Sequence, residues 1–133
     1  MNVAVGQVLE LQRTFTQEDY DRCAALTGDD NPIHVDPEFC KTTRFGRTLA
    51  HGMLLYGVIS GAIAGLDPGR PYQQIDQQLK FPGPTFTGEV MTIRLTVVRV
   101  ERDIMELDAL IFRPDGGPAC EGRTTVRWLQ VLS

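Results

Sequence analysis

The sequence is short of several things, and each shortage narrows what the protein can be. Basic residues are outnumbered, 13 Lys and Arg against 17 Asp and Glu, which leaves a formal net charge of -4. Nucleic-acid binding is disfavoured on that count, because phosphate contacts need clustered cations. Cysteine occurs three times, at Cys23, Cys40 and Cys120, with no C-x-x-C pair. That spacing excludes a zinc or redox motif and suits reduced, buried thiols in a cytoplasmic protein. The start, MNVAVGQVLE, lacks a basic region followed by an apolar core, so no secretory leader is read there. Only one long uncharged run exists, residues 48–66, close to the roughly 20 residues a membrane span needs. It contains four glycines, His51 and Ser60, and no second such run accompanies it, so it is read as a core helix and not as a membrane segment.

At 133 residues and 42% apolar composition, the chain is expected to form one domain, residues 1–133, with a proper core. A first strand is expected over 8–15, then a short helix capped by Thr16 and closed at Thr27-Gly28, with Tyr20, Cys23, Ala24 and Leu26 on its apolar side. Residues 29–47 read as irregular, with a turn of helix after Pro37. The buried helix runs from about Ala50 to Gly65. Strands follow: one over 74–81 with Ile75, Leu79 and Phe81 on one face, then 89–100, 104–112 and 119–131. One apolar helix with a strand before it and antiparallel strands after it implies an α+β fold, the sheet wrapped around the helix. The spaced glycines of the helix are expected to admit close backbone. Dimerisation that extends the sheet would cover its open edge.

Chemistry concentrates in TGDDNPIH, residues 27–34, which holds one of only two histidines. Pro32 is expected to prevent a regular helix, and an Asn-Pro turn can aim Asp29 and His34 at one point. A carboxylate and an imidazole sharing one water make a competent acid-base pair near neutral pH. The same residue types also build ordinary turns, with side chains bonding nearby amides. At the start of the helix, Gly52 offers an amide without an intrahelical acceptor, suited to stabilising an oxyanion. Ser60 lies eight residues on, near the same azimuth. Lys41, Arg44 and Arg47 precede the helix, where they could meet phosphates or form a solvated face. His34-Val35-Asp36 lacks a third suitably spaced ligand, so no metal is expected.

The segment 27–55 resembles the signature of the MaoC-like (R)-specific enoyl-CoA hydratases: Thr-Gly-Asp-x-Asn-Pro-Ile-His-x-Asp, then Phe-Gly, then Ala-His-Gly-Met. The later LKFPGPTFTGEV resembles that family's strand-loop-strand. The resemblance implies a hot-dog fold working as a homodimer or dimer of dimers. It implies that Asp29 and His34 activate water, that the Gly52 amide holds the thioester oxygen, that Ser60 lines the same site, and that Asn31 supports the loop. The implied reaction is reversible syn hydration of trans-2-enoyl-CoA, with no cofactor, coenzyme A being part of the substrate; acyl carrier protein is the other candidate carrier. Cys40 stands where the family usually has alanine, the loop after Phe81 is one residue short of longer examples, and segment 66–72 is short. Alternatives within reach of the fold are a biosynthetic dehydratase, a thioesterase and a non-catalytic acyl-thioester-binding subunit.

Overall fold

The computed structural model describes residues 2–130. Strand β1 (Val8–Thr14) leads into α1 (Gln17–Thr27). Helix α1 starts where Thr16 and Asp19 cap each other reciprocally: the Asp19 amide donates to Thr16 Oγ1 at 3.3 Å and the Thr16 amide to Asp19 Oδ2 at 2.9 Å. It stops at Gly28, whose φ of 81° is the left-handed geometry of a helix C-terminus. Of the side chains expected on its inner face only Tyr20 is fully buried; Leu26 is 89% exposed.

Residues 29–47 are more regular than the sequence suggests. Helices α2 (Pro32–Val35) and α3 (Pro37–Cys40) each begin with a proline. Pro32 therefore does not prevent a helix here, because at the first helical position its missing N–H costs nothing. Helix α4 (Gly52–Ile63) follows, extended by a 3-10 turn over Ala64–Leu66. Among the described residues no helix is long and apolar enough to cross a membrane.

Four antiparallel strands complete the chain: β2 (Tyr72–Lys80), β3 (Val90–Glu101), β4 (Ile104–Phe112) and β5 (Pro118–Trp128). The last was expected to reach Val131, which lies outside the described residues. The sheet order is β1-β3-β4-β5-β2, so β1 and β2 are its edges. Alternation at Met91, Ile93, Leu95 and Val97, and again at Met105, Leu107, Ala109 and Ile111, buries one face of β3 and β4. Against that face α4 sets Leu55, Ile59, Ala62 and Ile63, spaced four, three and one apart, the period of a single helical stripe. Each fully buried Ile or Leu contributes roughly 2 kcal/mol, so this contact is the core of the fold.

Two expectations need correction. Ile75 does not share a face with Leu79, because the register shifts between Gln74 and Asp76. This bulge turns Ile75 outward, 44% exposed, and points Gln74 and Gln77 inward. The glycines of α4 also divide: a Cβ on Gly52 would meet the Phe81 ring at 3.0 Å, whereas one on Gly57 or Gly61 would meet nothing. The exposed face of α4 is thus bare of side chains beyond Met53.

All three cysteines are free; Cys40 and Cys120 are buried and Cys23 is half-buried. Burial, with Glu121 adding to it, pushes the Cys120 thiol from 9.0 up to about 11. The folded state therefore favours the protonated thiol, and this stabilisation is complete below pH 9 and lost as pH rises to about 11. Linkage makes it worth on the order of 2 kcal/mol. Thermal melts across pH 8 to 11 should show a falling Tm in the wild type and a flatter profile in Cys120→Ala.

Candidate active site

The site is assembled where α2, the segment before α4 and the loop after β2 meet. Backbone bonds lock these pieces together: Leu49 N–H donates to Ile33 C=O at 3.0 Å, and Ala50 N–H to Thr85 C=O at 2.9 Å. Gln17 bridges further, its Nε2 donating to the His34 carbonyl at 2.8 Å and its Oε1 accepting from Thr48 Oγ1 at 2.6 Å. His34 is consequently held on a braced frame and is almost fully buried.

The tautomer of His34 follows from its partner. Its Nδ1 lies 2.7 Å from the Leu49 carbonyl, which can only accept, so Nδ1 carries a proton and, in the neutral imidazole, Nε2 presents a lone pair. Asp29 Oδ2 stands 4.0 Å from that Nε2. The distance is too long for a direct hydrogen bond. The other oxygen of Asp29 accepts from the Asn31 amide at 3.4 Å, and the Asn31 side chain accepts from Ile33 N–H, also at 3.4 Å. The turn and the acid-base pair are thus one object: Oδ1 builds the loop and Oδ2 faces the histidine.

Beside His34 lies a cavity of about 270 Å³, lined by Leu49, Ala50, Gly52, Leu55, Phe81 and the 82–85 loop, with Arg44 and Phe45 also on its wall. Gly52 is the first residue of α4, so its N–H has no intrahelical acceptor and sits at the positive end of the helix. A larger depression of about 780 Å³ lies over β2, β4 and β5, but it holds neither a histidine nor a helix terminus.

Residues 2–109 match the family model described as MaoC like domain. The chain belongs to the MaoC-like family. Over 128 residues it is 35% identical to the (R)-specific enoyl-CoA hydratase of Aeromonas caviae, covering 95% of this chain and 96% of that protein. A solved structure of an (R)-hydratase from A. caviae involved in PHA biosynthesis superposes with a TM-score of 0.89 at 34% identity, covering 95% and 97% of the two chains. A hot-dog-like protein from Thermanaerovibrio acidaminovorans, 13% identical, covers 96% of this chain and 84% of its own at a TM-score of 0.69 and shares the fold alone. The α+β architecture is accordingly the hot-dog fold.

The remaining candidates of this MaoC-like chain are placed unevenly. Ser60 lies about 12 Å along the helix axis from Gly52, at 1.5 Å per residue. Its hydroxyl is bonded by the Gln74 side chain and it does not line the cavity. The inward Gln74 and Gln77, bonded to each other at 2.9 Å, continue this polar chain to Thr124. Lys41 is on the surface, paired with Glu38 at 2.8 Å. Arg44 reaches the cavity wall and stacks on Phe45, whereas Arg47 lies 3.9 Å over the Phe86 ring and 3.9 Å from Glu89.

His51 is the residue that sequence reasoning passed over. The sequence gives it no role of its own, yet it joins Asp29 and His34 in a cluster whose potential ligand atoms lie within 4.8 Å of one another. The expectation that no third ligand is near is therefore corrected. The signal was available in composition: a chain with two histidines has both in motifs of the same segment. The geometry of the cluster nonetheless suits a metal poorly. The two imidazoles stack at 3.8 Å with an interplanar angle of 23°, so their planes are nearly parallel and one ion cannot lie close to both planes at bonding distance.

Proposed function

We propose that this chain is an (R)-specific enoyl-CoA hydratase, catalysing reversible syn addition of water to a trans-2-enoyl thioester and, in reverse, dehydration of the (R)-3-hydroxyacyl thioester. One observation carries the reading: Asp29 Oδ2 and the bare Nε2 of His34 are both acceptors, 4.0 Å apart. Water is the small molecule that satisfies two facing acceptors, donating one hydrogen to each across about 2.8 Å. Its oxygen lone pairs then point away from both groups, toward the substrate.

With the enoyl chain in the cavity, that oxygen attacks C3 while the pair removes one proton. Negative charge moves through C2 onto the thioester oxygen, where the Gly52 amide and the helix terminus stabilise it. The pair lies on one face of the substrate and returns one proton to C2 from that face, which makes the addition syn and restores the site. The step is balanced by water alone. Neither metal nor redox group enters it, and coenzyme A arrives as part of the substrate. The (R) configuration is proposed on the likeness to the A. caviae (R)-specific hydratase.

Arg44 on the cavity wall is the cation best placed for the carrier's phosphates; Arg47 can assist, while Lys41, spent on Glu38, is the weakest of the three. Ser60, being two turns deep, would meet the far part of the acyl chain or the Gln74 amide alone. We further propose a homodimer through the open edge β2, for which light scattering should give twice the chain mass. The test of the function is loss of enoyl absorbance when purified protein meets crotonyl-CoA, with chiral analysis of the product. Formation of (R)-3-hydroxybutyryl-CoA supports the hydratase; release of free thiol would move the reading to thioesterase.

A further inference from the structure

His51 is 2% exposed, and its surroundings are not those of a packing residue. Its Nε2 lies 2.9 Å from the backbone carbonyl of Asp29. A carbonyl only accepts, so Nε2 carries the proton and Nδ1 is left with a lone pair. That Nδ1 is buried and has no hydrogen-bond partner among the described residues. Leaving such an atom dry costs stability, a cost that phenylalanine or leucine in the same space would avoid.

The segment it holds has little else to fix it. Residues 28–31 are all exposed. The Asp29 amide donates to Thr27 Oγ1 at 3.1 Å, the Asp30 amide to the Gly28 carbonyl at 3.1 Å, and the Asn31 amide to Asp29 itself. Every hydrogen bond of residues 29–31 among the described residues spans three positions or fewer, except the one from His51. The same imidazole stacks on His34, and Tyr20 meets it edge-on at 6.5 Å. Tyr20 is itself buried and anchored through its hydroxyl to the Thr85 carbonyl at 3.0 Å. His51 also caps α4, immediately before Gly52. One side chain therefore touches Asp29 through its backbone, His34 through its ring, and the helix terminus through its own position.

We propose that His51 is a positioning residue: its Nε2–H tethers the exposed Asp29 segment so that the Asp29 carboxylate keeps its spacing from His34 and its register with the Gly52 amide. This deepens the hydratase reading and rests on it for its kinetic part. Acid-base geometry tolerates displacements of only about half an ångström, and an exposed loop held by short-range bonds alone does not meet that tolerance.

Two variants separate the bond from the ring. His51→Phe keeps the stack and loses the donor; His51→Gln places an amide N–H near the original Nε2 and loses the ring. The expected result is a kcat for crotonyl-CoA hydration lowered about 30-fold or more in His51→Phe, with KM little changed, and largely restored in His51→Gln. In an Asp29→Asn background, assayed with enzyme in excess, His51→Phe should lower the residual rate no further, because the group it positions is already lost. Hydrogen exchange needs no activity: amides of the peptide spanning residues 27–34 should exchange about tenfold faster in His51→Phe and near the wild-type rate in His51→Gln. Should His51→Phe not fold, His51→Met supplies an apolar side chain without a donor. Equal losses in both Asp29 backgrounds, no rescue by glutamine, or unchanged exchange in the Phe variant would each overturn the proposal. A wild type that leaves crotonyl-CoA unhydrated would instead overturn the hydratase reading, with the exchange comparison still deciding the tether.

Discussion

Asparagine at position 29 should lower kcat for crotonyl-CoA hydration on the order of 10³-fold, within the range ascribed to a positioned acid-base group. The side chain is 53% exposed and the replacement is isosteric, so Tm should stay within a degree or two. The reason for the loss lies in how the amide must orient. Oδ1 of Asp29 accepts from the Asn31 amide, and an asparagine keeps that bond by placing its carbonyl oxygen there. Its NH₂ then faces His34 Nε2, where the carboxylate oxygen stood at 4.0 Å. Two acceptors become a donor and an acceptor, and a water between them no longer gives a proton to each. The loss should fall on kcat, with KM nearly unchanged, because the carrier is held elsewhere. Steady-state kinetics beside a thermal melt checks both halves, and wild-type kcat in Asp29→Asn would remove Asp29 from the chemistry.

The largest effect on stability is expected far from that chemistry, at Gly122. This glycine sits in β5 between Leu79 of β2 and Ala109 of β4. A Cβ built on it would lie 1.9 Å from the Gln78 carbonyl oxygen and 3.0 Å from the Leu79 Cα, both backbone atoms with no rotamer to escape into. Gly122→Ala must therefore push β2 away from β5 and open their ladder, at an expected cost of about 4 kcal/mol. The damage reaches the site, because β2 runs directly into Phe81, whose ring covers Gly52. Urea titration should show a much lower midpoint, or the variant should accumulate as aggregate; a midpoint close to wild type would show that β2 adapts.

What the sequence made legible was whatever depends on local chemistry. The Thr16 cap and the Gly28 stop of α1 are set by residues within a few positions of each other, and both were readable. The alternating strands β3 and β4 were equally plain, since one face of each is buried along its length. The bulge at Ile75 was not, because it depends on how β2 registers against β5, a pairing across some fifty positions that an alternating pattern cannot encode. The constraint on Gly122 is hidden for the same reason: its neighbour is Gln78 backbone, invisible along the chain. In the site, the nearness of Asp29 to His34 followed from a five-residue span closed by the Asn-Pro turn. The approach of His51 to both spans 22 positions on one side and was legible only as an unexplained motif member. Ser60 is a different case: shared azimuth on a helix says nothing about depth, and two turns separate it from the cavity beside Gly52.

The stacking of His34 on His51 has a practical corollary. Since the chain has two histidines and no others, every imidazole it possesses sits in that one stack. Any histidine-selective observation, such as the imidazole proton resonances, is thereby a selective observation of the site, free of background from the rest of the molecule. The protein carries a built-in reporter, and ligand binding could be followed on it without a label.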